Sequence, residues 1–225
     1  SIVLKNDDKN KDDNFIVVDG QQRLTTMTIY AIATISVLEE LIKKNIDIEK
    51  VKSLQPDLII GNKEENTRED IEALMDIAPV WMSDVNSIED SYDLISSLAE
   101  IFNKVDKGQK LIEDLKNYFL TNASEGAGKS VLYFIWHAPG FVVGKNTYID
   151  SYMSAIGYQN CVTMDRYPEI NALESLNPDV VFLSSEPFPF NDSHLAFYKD
   201  LFPNAIVKLV DGERFSWYGI RTLLC

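Results

Sequence analysis

From Asn86 to Phe119 apolar side chains recur at Ile88, Tyr92, Ile95, Leu98, Phe102, Val105, Ile112, Leu115 and Phe119. The steps are mostly three and four, which lays one stripe along one face of a helix. Ser87 followed by Asp90, and Asn86 followed by Glu89, have the spacing of a capping box at its start. The small, polar, Gly-rich run TNASEGAGKS closes it. The spacing predicts one long helix, roughly 50 Å at about 1.5 Å per residue, bent near Lys107–Gly108.

Two similar stretches flank this helix. VKSLQPDLIIGNKE, residues 51–64, and LESLNPDVVFLSSE, residues 173–186, align at a constant offset, pairing Leu54 with Leu176, Pro56 with Pro178, Asp57 with Asp179 and Glu64 with Glu186. Each reads as a helix end, a Pro-Asp turn and a short apolar strand. Beyond the helix, SVLYFIW (130–136), VVFLSS (180–185) and AIVKLV (205–210) read as strands, alternating with helices over 147–156, closed by Gly157, and over 193–201. Alternation of this kind implies a parallel sheet covered on both faces. At the N-terminal side LKNDDKNKDDN, residues 4–14, reads as a charged loop and FIVV, 15–18, as a buried strand. Asp19-Gly20 turns the chain into a helical stretch that lasts to about Asn45. The fold class expected is α/β: two lobes with parallel sheets joined by one long helix. The expected divisions are residues 1–45, 46–85, 86–120 and 121–225.

Charge and composition narrow the chemistry. The net charge is −14, almost all of it carried beyond residue 50, and no basic patch of the kind that meets nucleic acid is present. No apolar run approaches the ~20 residues of a membrane span, and SIVLKNDDKNKDDNF has no apolar signal-peptide core. Two cysteines supply neither a disulfide framework nor a metal spacing. The two histidines, His137 and His194, have no carboxylate or Cys at ligand spacing and are expected to be structural or solvent-facing. EGAGKS, residues 125–130, lacks the first glycine of a phosphate-binding loop and is followed by a strand rather than a helix. No G-x-S-x-G elbow occurs, and nothing in the order of residues suggests catalysis or a cofactor.

Two family resemblances bear on function. FIVVDGQQRLTTMTIYAI resembles the signature region of the DUF262 family, found in nucleotide-dependent restriction and phage-defence proteins. That resemblance implies a nucleotide-handling site at Asp19, Gly20, Gln21, Gln22 and Arg23. A turn glycine beside an Asp, two amides and an Arg at a helix N-terminus could hold phosphates; capping of that helix is the plainer role. From Ile46 onward the chain resembles the substrate-binding proteins of ABC importers for cobalamin and ferric siderophores. The stretches that carry it are IDIEKVKSLQPDLIIGNKEENTREDIEAL, APGFVVGKNTYIDSYMSAIGYQN, LNPDVVFLSSEPFPF and VDGERFSWYGIR.

The second resemblance is the broader. It implies capture of cobalamin or a related metal chelate between two lobes, delivery to an ABC permease in the membrane, a periplasmic or cell-envelope location, a monomer and no enzymatic activity. In open parallel sheets ligands meet the carboxyl ends of strands, and the loops there, HAPGF, SSEPFPF and DGERFSWYG, are aromatic. Phe141, Glu186, Phe188, Phe190, Trp217 and Tyr218 are the expected ligand-binding residues, with Phe141 foremost because the family places an aromatic after this strand. One carboxylate per lobe docks on the permease in this family, which makes Glu64 and Glu186 the expected docking pair. The alternatives are a fragment of a DUF262-type defence protein, or a non-functional join of the two near Asn45. The resemblance also implies that the first lobe is incomplete, since members of that family begin with a strand-helix unit and further strands ahead of the segment matching Ile46; FIVV and its helix could serve as the missing strand-helix unit.

Overall fold

The structure, a computed structural model, describes residues 2–4, 48–64, 66–170 and 176–224. FIVV and the stretch from Asp19 to Arg23 lie outside the described residues. The chain divides into two compact units, Ser1–Asp84 and Val85–Cys225.

The first unit is built on a three-stranded sheet. β1 (Ile2–Leu4) runs antiparallel to β2. α1 (Ile48–Ser53) leads through Gln55, in the left-handed region at φ 48°, into β2 (Leu58–Asn62). α2 (Arg68–Met75) follows, its N-terminus capped by Thr67, whose hydroxyl accepts from the Asp70 amide at 3.2 Å. β3 (Val80–Ser83) then pairs parallel with β2. The core is Val51, Ile59, Ile71, Leu74 and Ala78. The sheet is thus mixed, not purely parallel as expected, because Ile2–Leu4 adds an antiparallel edge strand.

The second unit opens with the helical stretch, and here the structure corrects the sequence reading. There are two helices, α3 (Ile88–Ile101) and α4 (Val105–Asn122). The start is as the spacing predicts: Ser87 Oγ accepts from the Asp90 amide at 3.0 Å, and Asp90 Oδ2 accepts from the Ser87 amide at 2.8 Å. The stop comes at Phe102–Lys104, where Asn103 takes φ 52°, a conformation that Asn tolerates and that ends helices. Gly108 is not where the chain breaks. It is where the two helices touch, since a Cβ built there would lie 2.4 Å from Ala99 Cβ.

The remaining elements alternate as expected. They are β4 (Ser130–Trp136), β5 (Phe141–Val142), α5 (Tyr148–Ala155), β6 (Gln159–Asn160), β7 (Val180–Ser184), α6 (Asp192–Leu201), β8 (Ile206–Val210), α7 (Gly212–Ser216) and α8 (Ile220–Leu224). The sheet runs β5-β4-β7-β8, with β6 also on β4. β4, β6, β7 and β8 are parallel, and β5 doubles back antiparallel along β4.

β4 is buried on both faces, which accounts for its unbroken apolar sequence. Leu132 and Phe134 enter the core with Tyr198 and Phe202, the Phe134 and Tyr198 rings 4.6 Å apart. Tyr133 packs on Phe182 and Phe215. At the amino ends of β4 and β7, Asp179 Oδ2 accepts from the amide and hydroxyl of Ser130 at 2.8 and 2.7 Å. Those bonds hold the Asp179 carboxyl below the usual carboxylate range.

The Pro-Asp-strand parts of the two similar stretches, residues 56–64 and 178–186, fold alike. β2 and β7 each have a parallel neighbour that follows in the chain, β3 and β8. Two residues beyond each strand stands a glutamate whose amide is tied to the strand's last side chain. Glu64 N donates to Asn62 Oδ1 at 2.8 Å, and Glu186 N to Ser184 Oγ at 3.4 Å.

Candidate binding face of the second unit

Three loops leave the carboxyl ends of β4, β7 and β8, and their side chains gather into two adjoining groups. The first surrounds His137. This residue follows β4, and β5 pairs Phe141 back onto Trp136, so residues 137–140 form a short hairpin that fixes the imidazole. The rings of Phe188, Phe190, His194, Phe197 and Tyr198 lie 5.0–6.2 Å from it, mostly edge to face. Trp136 joins through Phe188 at 5.3 Å. His137 Nδ1 and the Tyr198 hydroxyl are in hydrogen-bond contact at 3.1 Å. Burial, and then the neighbouring His194, hold the His137 pKa below the ordinary value, so the ring is neutral at pH 7. His194 Nδ1 accepts from the Asn191 amide at 3.2 Å, closing a capping box on α6.

The second group is centred on Glu186. Its Oε1 accepts from Trp217 Nε1 at 2.8 Å and from Ser216 Oγ at 2.9 Å. The Glu186-Pro187 peptide is cis. Arg221 lies 5.6 Å from the Trp217 ring and pairs with Glu213. Tyr218 meets Tyr148 at 5.4 Å. Beneath them Tyr133 donates to Ser184 Oγ at 3.1 Å, and Ser184 Oγ to the Glu186 carbonyl at 2.5 Å. Burial pushes the Tyr133 hydroxyl far above its ordinary pKa, so it remains a donor.

Of the residues expected to bind ligand, Glu186, Phe188, Trp217 and Tyr218 are half-buried on this face. Phe141 and Phe190 are interior, 4% and 6% exposed. Phe141 lies in β5, which doubles back along β4 and pairs it with Trp136. Phe190 is drawn into the core beside Tyr198. Sequence reasoning missed the histidines' company: Phe197, 54% exposed, and Tyr198 belong to α6, and only the fold brings them to His137. The α6 period of His194, Phe197 and Tyr198 was the available signal. Among the described residues no group of three His, Cys, Asp or Glu side chains converges as a metal site.

Comparison with known proteins places the fold. The chain is 25% identical over 149 residues to a vitamin B12-binding protein of Vibrio parahaemolyticus; the match takes in 63% of this chain and spans only about half, 54%, of that relative. Among solved structures, the periplasmic vitamin B12-binding protein BtuF of Vibrio cholerae superposes with a TM-score of 0.67 at 20% identity, covering 79% of this chain and 74% of that one. The periplasmic heme-binding protein HutB of the same organism gives a TM-score of 0.64 at 18% identity, covering 79% and 76%. The same architecture therefore occurs in proteins named for a corrinoid and for a porphyrin. The periplasmic binding protein family pattern matches residues 36–207, starting ahead of the join expected near Asn45 and leaving Asp19 to Arg23 outside it. By that match the chain belongs to the periplasmic binding protein family.

Proposed function

We propose that this chain is the substrate-binding component of an ABC importer, a periplasmic monomer that binds a metal tetrapyrrole such as cobalamin or heme and hands it to a membrane permease without chemical change. The observation that carries the reading is the aromatic face at the carboxyl ends of β4, β7 and β8. A flat macrocycle buries area against ring edges and faces, and a few fixed polar groups orient it. Phe188, Phe197, Trp217 and Tyr218 supply the first; His137 and Glu186 supply the second.

A ferric chelate has one specific argument in its favour. A neutral imidazole is the form that ligates a metal. With Nδ1 engaged by Tyr198, the other ring nitrogen of His137 is the one that would reach an axial position. Delivery would use surface carboxylates. Glu64 is the docking carboxylate of the first unit, and Glu186, whose Oε1 accepts from Ser216 and Trp217, serves the ligand face.

The test is calorimetric titration of the protein with cyanocobalamin and, in parallel, with hemin, followed by absorption spectra. Binding of either with a micromolar or tighter Kd supports the reading, and a hemin Soret shift lost in His137→Ala identifies the iron ligand. No heat with either ligand sinks it.

A further inference from the structure

Arg214, on α7, makes polar contacts to three other parts of the second unit. Its Nε donates to the hydroxyls of Tyr118, on α4, at 3.1 Å and of Tyr152, on α5, at 3.2 Å. Its second terminal nitrogen donates to Glu125 Oε2 at 2.8 Å, in the loop after α4. The two tyrosine hydroxyls are themselves 2.8 Å apart. Tyr152 is fully buried, and its ring packs on Phe215 at 4.9 Å. One guanidinium thus binds α7 to two helices and a loop, using the fixed fork of donors that Lys lacks.

The need for such a tie follows from length. α7 has five residues, little more than one turn, and a helix that short has no stability of its own. Its position must come from tertiary anchors. Facing the site, it carries Ser216 and leads into Trp217, which together hold the Glu186 carboxylate. Facing inward, it carries Arg214 and Phe215. Gly212, at its start, sits so close to the β7 loop that a Cβ would lie 2.5 Å from Ser184 Oγ, which leaves no slack on that side.

We propose that Arg214 is a positioning residue for the binding face: by pinning α7 to the Tyr118–Tyr152 pair it fixes the Trp217–Glu186 contact in the geometry that meets the ligand. This role rests on the function proposed above for its consequence in affinity, but not for its effect on Trp217. A preordered face binds more tightly because less ordering remains to be done on binding.

The experiment uses the whole chain labelled with 5-fluorotryptophan, whose three indoles, Trp81, Trp136 and Trp217, give separate fluorine resonances, assigned with Trp217→Phe. In Arg214→Gln without ligand, the Trp217 resonance is expected to shift and broaden while those of Trp81 and Trp136 stay. The Kd for cyanocobalamin or hemin, whichever the parent binds, should rise on the order of tenfold, the worth of about one charge-assisted hydrogen bond. An unmoved Trp217 resonance overturns the proposal, as does a moved resonance with unchanged affinity. If all three resonances collapse, the milder Tyr118→Phe decides, its Trp217 resonance moving if the proposal holds and staying if it fails. A parent that binds neither ligand refutes the importer reading, and the Trp217 resonance still decides whether Arg214 positions it.

Discussion

At the scale of single residues, the binding face is a matter of which side chains the fold lends to His137. Burial lowers its pKa first and His194 second, so His194→Gln should raise the His137 pKa yet leave it below the ordinary value of 6.5, as an imidazole proton titration by NMR would show. The sign for stability follows from the same shift. An unfolded His137 takes a proton more readily than the folded one, so its contribution is intact above about pH 6.5 and declines as pH falls from there to the folded pKa. Urea unfolding at stepped pH should show that decline flattened in His137→Asn. None of this was legible in the sequence, where His137 and His194 stand far apart with no carboxylate or Cys grouped with them at ligand spacing to suggest a site. Glu186 and Trp217 were legible as loop residues. Their hydrogen bond was not, since it depends on the one-turn helix between β8 and Trp217.

At the scale of elements, patterning did well for the shorter strands and helices of the second unit. The strands 130–136, 180–184 and 206–210 and the helices 148–155 and 192–201 fall within a residue of the stretches read from the sequence. The helix from Asn86 to Phe119 failed for a definable reason. Its stripe continues through the break because both pieces are amphipathic, and the stop signal is one Asn in the left-handed region, which composition does not advertise. Gly108, which looked like a flaw in a helix, is a packing requirement. Gly108→Ala gains about 1 kcal/mol of helix propensity but forces its methyl to within 2.4 Å of Ala99. Since neither Cβ can swing aside, a net loss of about 1–2 kcal/mol is expected in chemical denaturation. Ser87→Ala, which removes the acceptor for the Asp90 amide, should cost about 1 kcal/mol in the same measurement.

At the scale of the whole molecule, the two units have separate cores, one around Ile59 and Leu74 and one around Leu132, Phe134 and Leu183. The second contains the complete candidate face. Residues 85–225 expressed alone should therefore melt cooperatively with the circular dichroism of an α/β protein; a non-cooperative melt would show that its core needs the first unit. The α/β class was readable from the repeated Pro-Asp-strand stretches. The antiparallel strand at Ile2–Leu4 was not, because three apolar residues carry no period.

One junction lies outside the binding face. The loop after α4 meets the turn after α5 backbone to backbone. Gly126 N donates to the Ile156 carbonyl at 2.8 Å and Gly128 N to the Gly157 carbonyl at 2.9 Å, and a Cβ on Gly126 would fall 2.4 Å from the Gly157 carbonyl carbon. A seam made of main chain has no rotamers with which to absorb a change. In a saturation scan scored by ligand uptake, Gly126 and Gly157 should tolerate almost nothing, and a map of intolerance alone would mark this seam as a second functional site. Scoring the same library by abundance would separate the two, because variants here vanish from the cell, whereas those at Trp217 remain present and unable to bind.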